Sequence, residues 1–261
     1  MGRVQEGAWD RVSAWYEDTF SRDYLSLYPH RNDEEAKRDV QGIIELISPP
    51  RTEPLLDLCC GAGRHLVAFR QAGFCHVTGL DLSADLLAEA RKRLQRESLD
   101  DVQLIRADMR EIPEGLRYQT IVSLFTSFGY FEAAHEDERV LQSAHCALLP
   151  GGTLLLDTLN RAHVLANLVP IDHTELEGKT IHITRRISRD SLRVEKQTSI
   201  TQPGSPQTLY HESVRMYERE ELEEMLAKIG FASWHIYGDL EGQAFSATSE
   251  RVVVVASKAR S

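Results

Sequence analysis

The sequence predicts an α/β protein built on a doubly wound, mostly parallel sheet, with an antiparallel β insertion late in the chain. Three observations carry this reading. Short apolar runs alternate with amphipathic helical stretches between residues 54 and 158, which is the pattern of parallel strands joined by crossover helices. Period-two alternation without helices takes over between residues 179 and 217. The last two strand-like runs, 231–237 and 251–257, have no helical stretch between them and so read as an antiparallel pair.

Residues 1–31 are rich in aromatics: Trp9, Trp15, Tyr16, Phe20, Tyr24 and Tyr28. Trp9, Val12, Tyr16 and Phe20 share one helical face, so the segment is either a lid or an amphipathic helix stapled to the domain. A helix begins at Asn32, with Glu35 completing a capping box, and buries Ala36, Val40, Ile43, Ile44 and Ile47 before Pro49-Pro50 stops it. Strand 54–60, helix 64–72 and strand 75–80 follow, then helix 84–96 capped by Ser83. Strands 102–106 and 119–125 precede a helix over 133–149, and Pro150-Gly151-Gly152 turns the chain into strand 153–158. The insertion holds three strands, 179–189, 192–202 and 207–217, separated by Arg189-Asp190-Ser191 and Pro203-Gly204-Ser205-Pro206. A helix over 218–229 returns the chain to the sheet. The expected organisation is an N-terminal aromatic helical lid (1–31), a core (32–160 and 218–261) and the β insertion (161–217), on the acceptor side or at a dimer contact.

Composition narrows the class of function. The chain has 261 residues, 42% hydrophobic and 27% charged, enough apolar content for a packed core. A net charge of −10 favours a small-molecule partner over nucleic acid, whose binders display basic surfaces. The apolar run Val252 to Ala256 is too short to span a bilayer. The first residues lack the apolar stretch of a signal peptide, and Glu6 breaks the myristoylation pattern, so a cytoplasmic protein is expected. Cys59, Cys60, Cys75 and Cys146 have no Cys-x-x-Cys spacing, which leaves a structural zinc unsupported and reads as small side chains in a reducing compartment.

In a doubly wound sheet, ligands sit beyond the carboxyl ends of the strands where strand order reverses. Four segments fall there. The first is Asp57-Leu58-Cys59-Cys60-Gly61-Ala62-Gly63-Arg64, whose Gly61 and Gly63 let the backbone turn and approach a ligand. Cys59 in the first glycine place and the lack of a third glycine weaken a dinucleotide reading; a plain strand-to-helix turn is the alternative. The second is Asp81, which can accept from both hydroxyls of a ribose or simply cap a turn. The third is Asp108-Met109, able to meet an exocyclic amine and cover a purine face, or to form an ordinary Asp turn. The fourth is Ser123 to Phe131, a polar and aromatic turn suited to an acceptor, in which Phe125 and Phe128 are equally readable as packing.

Together these segments resemble class I S-adenosylmethionine-dependent methyltransferases. DLCCGAGRH is similar to the first motif, VTGLDLS to the second, RADMREIP to the third and LLPGGTLLLD to the turn before strand 5. The resemblance covers residues 53–160 strongly and 218–257 more weakly. It implies a seven-stranded, Rossmann-like methyltransferase fold with a reversed last strand, and S-adenosyl-L-methionine as cofactor. Asp57, Cys59, Gly61 and Gly63 would hold its methionine part, Asp81 with Leu82 the ribose, and Asp108 and Met109 the adenine. Leu124 would line the pocket and Tyr16 would lie over the donor. Cys59 is a departure, because many members have glycine there, and implies a more crowded loop. No metal is implied: strand 4 ends in Ser-Leu-Phe, without an acidic ligand. The stretch from Asp108 to Phe131, followed by the insertion, is most similar to small-molecule methyltransferases, among them nucleotide-sugar amine N-methyltransferases.

A neutral amine acceptor needs little beyond alignment, whereas a hydroxyl would need a base. His211 is the candidate base; Tyr16 and Tyr130 complete the candidate catalytic set, and Ser127, Tyr130, His211 and Arg215 the acceptor-binding set. The plain reading of strand alternation is that His211 and Arg215 face water. His65, inside the first helix of the core sheet, reads as packing or a cofactor-edge contact. The leading reading is methyl transfer to a small molecule, N- ahead of O-methylation, with a homodimer contact as a further role of the insertion. The alternatives are a catalytically silent S-adenosylmethionine-binding protein and an NAD-type oxidoreductase. Nucleic-acid methylation is disfavoured, since strand 4 is not followed by Asn/Asp-Pro-Pro-Tyr or Pro-Cys.

Overall fold

The computed structural model describes residues 15–19, 32–176 and 178–260. Of the aromatic N-terminal segment, only α1 (Trp15–Thr19) falls within this range; Trp9, Val12, Phe20, Tyr24 and Tyr28 lie outside the described residues. The helix α2 (Asp33–Ile47) starts where expected, with the Asn32 side chain accepting from the Glu35 amide, and ends at Ser48 in a left-handed conformation before the two prolines.

The core alternates β1 (Leu55–Leu58), α3 (Arg64–Gln71), β2 (Val77–Asp81), α4 (Ala84–Arg96), β3 (Gln103–Arg106), β4 (Tyr118–Ser123), α5 (Ala134–Ala147) and β5 (Leu148–Leu159). After the insertion come α7 (Arg219–Ile229), β10 (Ser233–Tyr237) and β11 (Arg251–Ser257). The strands form one seven-stranded sheet in the order β10-β11-β5-β4-β1-β2-β3. β1 to β5 pair in parallel, while β11 runs antiparallel to both β5 and β10. This is the expected seven-stranded sheet with its reversed last strand.

Both faces of this sheet are covered at its centre, which explains why its central strands read as near-continuous apolar runs. Leu56, Ile121, Leu154 and Val254 pack with α5 and α7. Their neighbours Leu55, Val122, Leu155 and Val253 point the other way, against α2, α3 and α4. The predicted Pro150-Gly151-Gly152 turn is not a separate element. It lies inside β5, where Gly151 takes φ +73° and the pairing with β4 shifts register between Tyr118 and Thr120. The glycines absorb a bulge at the start of a strand instead of ending one.

The insertion differs from expectation. It opens with α6 (Arg161–Asn167), capped by Asn160, and carries four strands: β6 (Ile171–Leu176), β7 (Lys179–Ile187), β8 (Arg193–Thr201) and β9 (Thr208–Arg215). β6 gave no sequence signal because it is an exposed edge strand, with no buried face to impose apolar alternation. This sheet is fastened to the loop after β4. The Arg193 guanidinium donates to the carbonyls of Phe131 (2.9 Å), Gly129 (3.1 Å) and Tyr130 (3.3 Å), and to Ser213. The buried Asp137 accepts from the Gly129 amide and from the Tyr217 hydroxyl at 2.7 Å.

Gly129 is the tightest point of this junction. It has φ +91°, and a Cβ there would stand 2.3 Å from the Arg215 carbonyl oxygen, itself backbone. Gly129→Ala is therefore expected to lower stability by about 2 kcal/mol or more, read as a shift of the urea midpoint. An unchanged midpoint would show that the junction is not fixed by this contact.

Candidate active site

The chain runs from β1 through β2 to β3 on one side and returns as β4 on the other, so strand order reverses between β1 and β4. A cavity of about 390 Å³ opens beyond the carboxyl ends of these strands, lined among others by Tyr16, Asp57, Cys59, Gly61, Asp81, Leu82, Asp108, Met109, Leu124, Ser127 and Tyr130. Gly63 starts α3 beside it. Of the residues singled out from the sequence for cofactor binding, all but Gly63 line this one space.

The loop after β1 has three left-handed residues: Cys59 (φ +67°), Gly61 (+53°) and Gly63 (+77°). Only the two glycines adopt this backbone without a steric cost. At Gly63 a Cβ would come within 3.0 Å of Ala90 on α4. Cys59 bears the strain, and its thiol contacts the Met109 sulfur at 3.4 Å. The crowding expected of Cys59 is thus directed toward Met109. Burial, with Asp81 and Asp57 nearby, pushes the Cys59 thiol well above its usual range, so it is no nucleophile.

Asp81 shapes this loop. One carboxylate oxygen accepts from the Gly61 amide at 2.8 Å, the other from the Ser83 amide at 2.9 Å. Burial raises its pKa, and the amides of Ser83, Gly61 and Leu82 oppose the rise. Asp57 is buried more deeply, and its Oδ2 has no hydrogen-bond partner among the described residues. Burial first, then the Asp81 charge, raise the Asp57 pKa to about 7, against a partial offset from Arg64. A buried carboxylate oxygen with open lone pairs, facing a cavity, fits a ligand that brings a cation or N–H donors. Asp108 behaves oppositely. Burial disfavours its charge, but bonds from the Arg110 side chain and backbone outweigh this and hold it below the usual carboxylate range.

Aromatic rings close the cavity. Tyr16 lies edge-on to Phe131 at 5.4 Å, and Arg110 covers the other ring contact of Phe131 at 4.1 Å. Trp15 meets Tyr130 at 4.9 Å. After β4, Phe125 (φ +57°) and Thr126 (φ +62°) are consecutive left-handed residues. Asp157, from the end of β5, accepts from the Phe125 amide at 2.9 Å and from Arg251 at 2.7 Å, and Arg251 also reaches the Thr126 hydroxyl. Sequence reasoning passed over Asp157 and Arg251, although an acidic residue at the end of a core strand was a usable signal. His65 is buried, 3.1 Å from Asp39, with its pKa lowered chiefly by burial; it packs at 5.6 Å from Phe125.

A second cavity, of about 510 Å³, adjoins the first and shares Phe125 and Tyr130 with it. Its other walls come from α6 and the insertion sheet, including His163, Asp172, Arg185, Lys196 and Glu212. His211 and Arg215 line neither cavity, in contrast to the acceptor contacts expected of them. The reason is the strand period: Glu212 and Val214 of β9 face the second cavity, so His211, Ser213 and Arg215 face the other side. There α1 covers β9, with the Thr19 hydroxyl donating to the His211 carbonyl, and Arg215 pairs with Glu221 at 3.0 Å.

Residues 55–152 match the family model of a methyltransferase domain. The chain is 32% identical over 158 residues to a dTDP-3-amino-3,4,6-trideoxy-alpha-D-glucopyranose N,N-dimethyltransferase of Streptomyces venezuelae, covering 59% of this chain and 64% of that protein. It is 28% identical over 204 residues to a dTDP-3-amino-3,6-dideoxy-alpha-D-glucopyranose N,N-dimethyltransferase of Streptomyces fradiae, covering 74% and 76%. The chain thus spans just under two thirds of the first relative. Its structure is similar to that of SAM-bound CalS10, an amino pentose methyltransferase from Micromonospora echinaspora involved in calicheamicin biosynthesis, with TM-score 0.67, 25% identity, and coverage of 91% of this chain and 97% of that one.

The raised pKa of Asp57 has a sign that can be checked. Between about 4 and 7 the folded state holds a proton that the unfolded state has lost, so this group's contribution to stability falls as pH rises through that window and levels off above it. Asp57→Asn lacks this loss. Its Tm relative to the unsubstituted chain is expected to climb from pH 5 to pH 7 and then stay flat; a difference independent of pH would contradict the assigned environment.

Proposed function

We propose, from the S-adenosylmethionine-dependent methyltransferase domain this chain carries, that it methylates the amine nitrogen of a small-molecule acceptor of the amino-sugar class. The single observation that carries this reading is the juxtaposition of two cavities sharing Phe125 and Tyr130, one ringed by the motif residues and the other by the insertion. The names of the relatives, nucleotide-amino-sugar N,N-dimethyltransferases, support the acceptor class.

The residues present fit the cofactor. Asp57, with its open carboxylate oxygen, would hold the ammonium of the methionine part, and Asp81 with Leu82 the ribose. Asp108 and Met109 would hold the adenine, and Leu124 and Tyr16 would line the donor. When bound, S-adenosylmethionine supplies a methyl group already activated on a sulfonium. The protein's task is then alignment and exclusion of water. Tyr16, Tyr130 and Phe131 exclude solvent from the first cavity, and the braced Phe125–Thr126 turn sets the approach from the second. A neutral amine needs no base from the protein, which agrees with His211 lying on the far face of its sheet. A lid role for the N-terminal segment, to which Tyr16 belongs, is part of the same reading.

The net charge of −10 supports a small-molecule acceptor over nucleic acid. Among the described residues no helix is long and apolar enough to cross a membrane. A cytoplasmic site of action accords with these features.

Asp81→Ala is expected to weaken S-adenosylhomocysteine binding at least about tenfold by calorimetry, since it removes ribose contacts and the brace on Gly61 together. Unchanged affinity would remove the ribose assignment. With saturating donor, an acceptor panel scored by S-adenosylhomocysteine release is expected to give turnover with primary or secondary amines on a sugar. Turnover confined to hydroxyl acceptors would contradict N-methylation.

A further inference from the structure

His211 lies on the far face of the insertion sheet, yet one imidazole does meet the second cavity. His163, on α6, is the only histidine among the described residues that lines it. Its helix is pinned at the start. The buried Asn160 that caps α6 donates to the carbonyls of Ser246 at 3.0 Å and Ser249 at 2.7 Å, which ties the first turn to the loop before β11. The His163 ring reaches the same loop, with Nδ1 3.3 Å from the Thr248 carbonyl oxygen. A carbonyl only accepts, so this bond places the ring hydrogen on Nδ1 and leaves Nε2 with its lone pair available to a ligand. The Asn167 amide, 3.5 Å from the same Nδ1, donates to the His163 carbonyl at 2.9 Å. Among the described residues Nε2 has no hydrogen-bond partner.

The other charged groups around this cavity are less suited to accept a proton. Arg185 on β7, Lys196 on β8 and Arg251 on β11 are cations. Glu212 on β9 is taken up by Lys196 at 2.6 Å, and Asp172 stands exposed on the edge strand β6. Transfer from a neutral amine needs no base, but an alkylamine in neutral water carries a proton that blocks its lone pair. Imidazole lies about two pK units nearer to an alkylamine than a carboxylate does, which makes it the better acceptor for that proton. We propose that His163 is a catalytic residue whose Nε2 takes a proton from the acceptor's ammonium. The N–H bond breaks and its electron pair stays on nitrogen. That pair forms the new N–C bond as the methyl–sulfur bond breaks, its electrons remaining on sulfur. The imidazolium then returns its proton to solvent. The inference rests on reading the second cavity as the site of an amine acceptor, and it adds the residue that frees the amine for attack.

The test uses the full chain with saturating S-adenosylmethionine and, as acceptor, 3-amino-3-deoxyglucose, free and as its thymidine diphosphate ester. His163→Gln is expected to lower kcat at pH 7 at least about tenfold, while Tm and S-adenosylhomocysteine affinity stay unchanged. The deficit is expected to shrink to within about twofold at about pH 9, where the amine arrives already neutral. A purely structural role would give a deficit independent of pH. A second readout needs no turnover. With S-adenosylhomocysteine bound at pH 7, the acceptor is expected to move the Cε1–H resonance of His163, identified by its loss in His163→Gln, toward the imidazolium position, whereas glucose leaves it in place. The proposal is overturned if His163→Gln keeps full kcat at pH 7, if its deficit does not change with pH, or if the resonance stays put with acceptor bound. If neither acceptor binds the S-adenosylhomocysteine-loaded chain, the amine-acceptor reading of the second cavity is itself overturned, and the proposal with it.

Discussion

Two carboxylates, Asp57 and Asp81, stand at the ends of neighbouring parallel strands, buried, with no cation bonded to either among the described residues. This arrangement is costly unless something compensates it. For Asp81 the compensation is internal: the amides of Gly61 and Ser83 point at it, and in doing so they set the shape of the loop after β1. For Asp57 it is incomplete, and the group is driven toward its protonated form in the absence of a ligand. A ligand bearing a positive charge and a vicinal pair of hydroxyls satisfies both at once. The strained backbone at Cys59 and the glycines around it are the geometric consequence of bringing the loop under Asp81.

The second half of the site depends on a different constraint. Phe125 and Thr126 are held in left-handed conformations by Asp157 and Arg251, residues from strands that otherwise only build the core. A few residues on, Arg193 reaches from the insertion to the carbonyls of residues 129–131, and Gly129 leaves room for the Arg215 backbone. The loop between the cavities is thus fixed from the core on one side and from the insertion on the other. Such fixing suits a reaction whose demands are chiefly positional.

The sheet was legible because its central strands had to be apolar on two faces and its helices on one. The caps at Asn32 and Ser83 marked helix starts through residue chemistry alone. The first cavity was legible because the residues that line it cluster in short motifs at strand ends. What escaped was long-range or one-sided. β6 is exposed at an edge and carries no buried period. Arg193 and Asp157 act on backbone groups, and Arg251 on side chains, tens of residues away, which spacing cannot reveal. His211 and Arg215 stand out by residue type within a strand whose alternation is readable but whose facing is not, and Glu212 and Val214, one position away, are the residues that meet the cavity. The facing of a strand is set by what packs on it, here α1 on β9.

The most direct test is a crystal structure of the chain grown with S-adenosylhomocysteine. The account requires the nucleoside's ribose hydroxyls against Asp81, its amino-acid end beside Asp57 and its adenine over Met109. A crevice left empty at saturating ligand, or the same ligand bound elsewhere on the molecule, would contradict it.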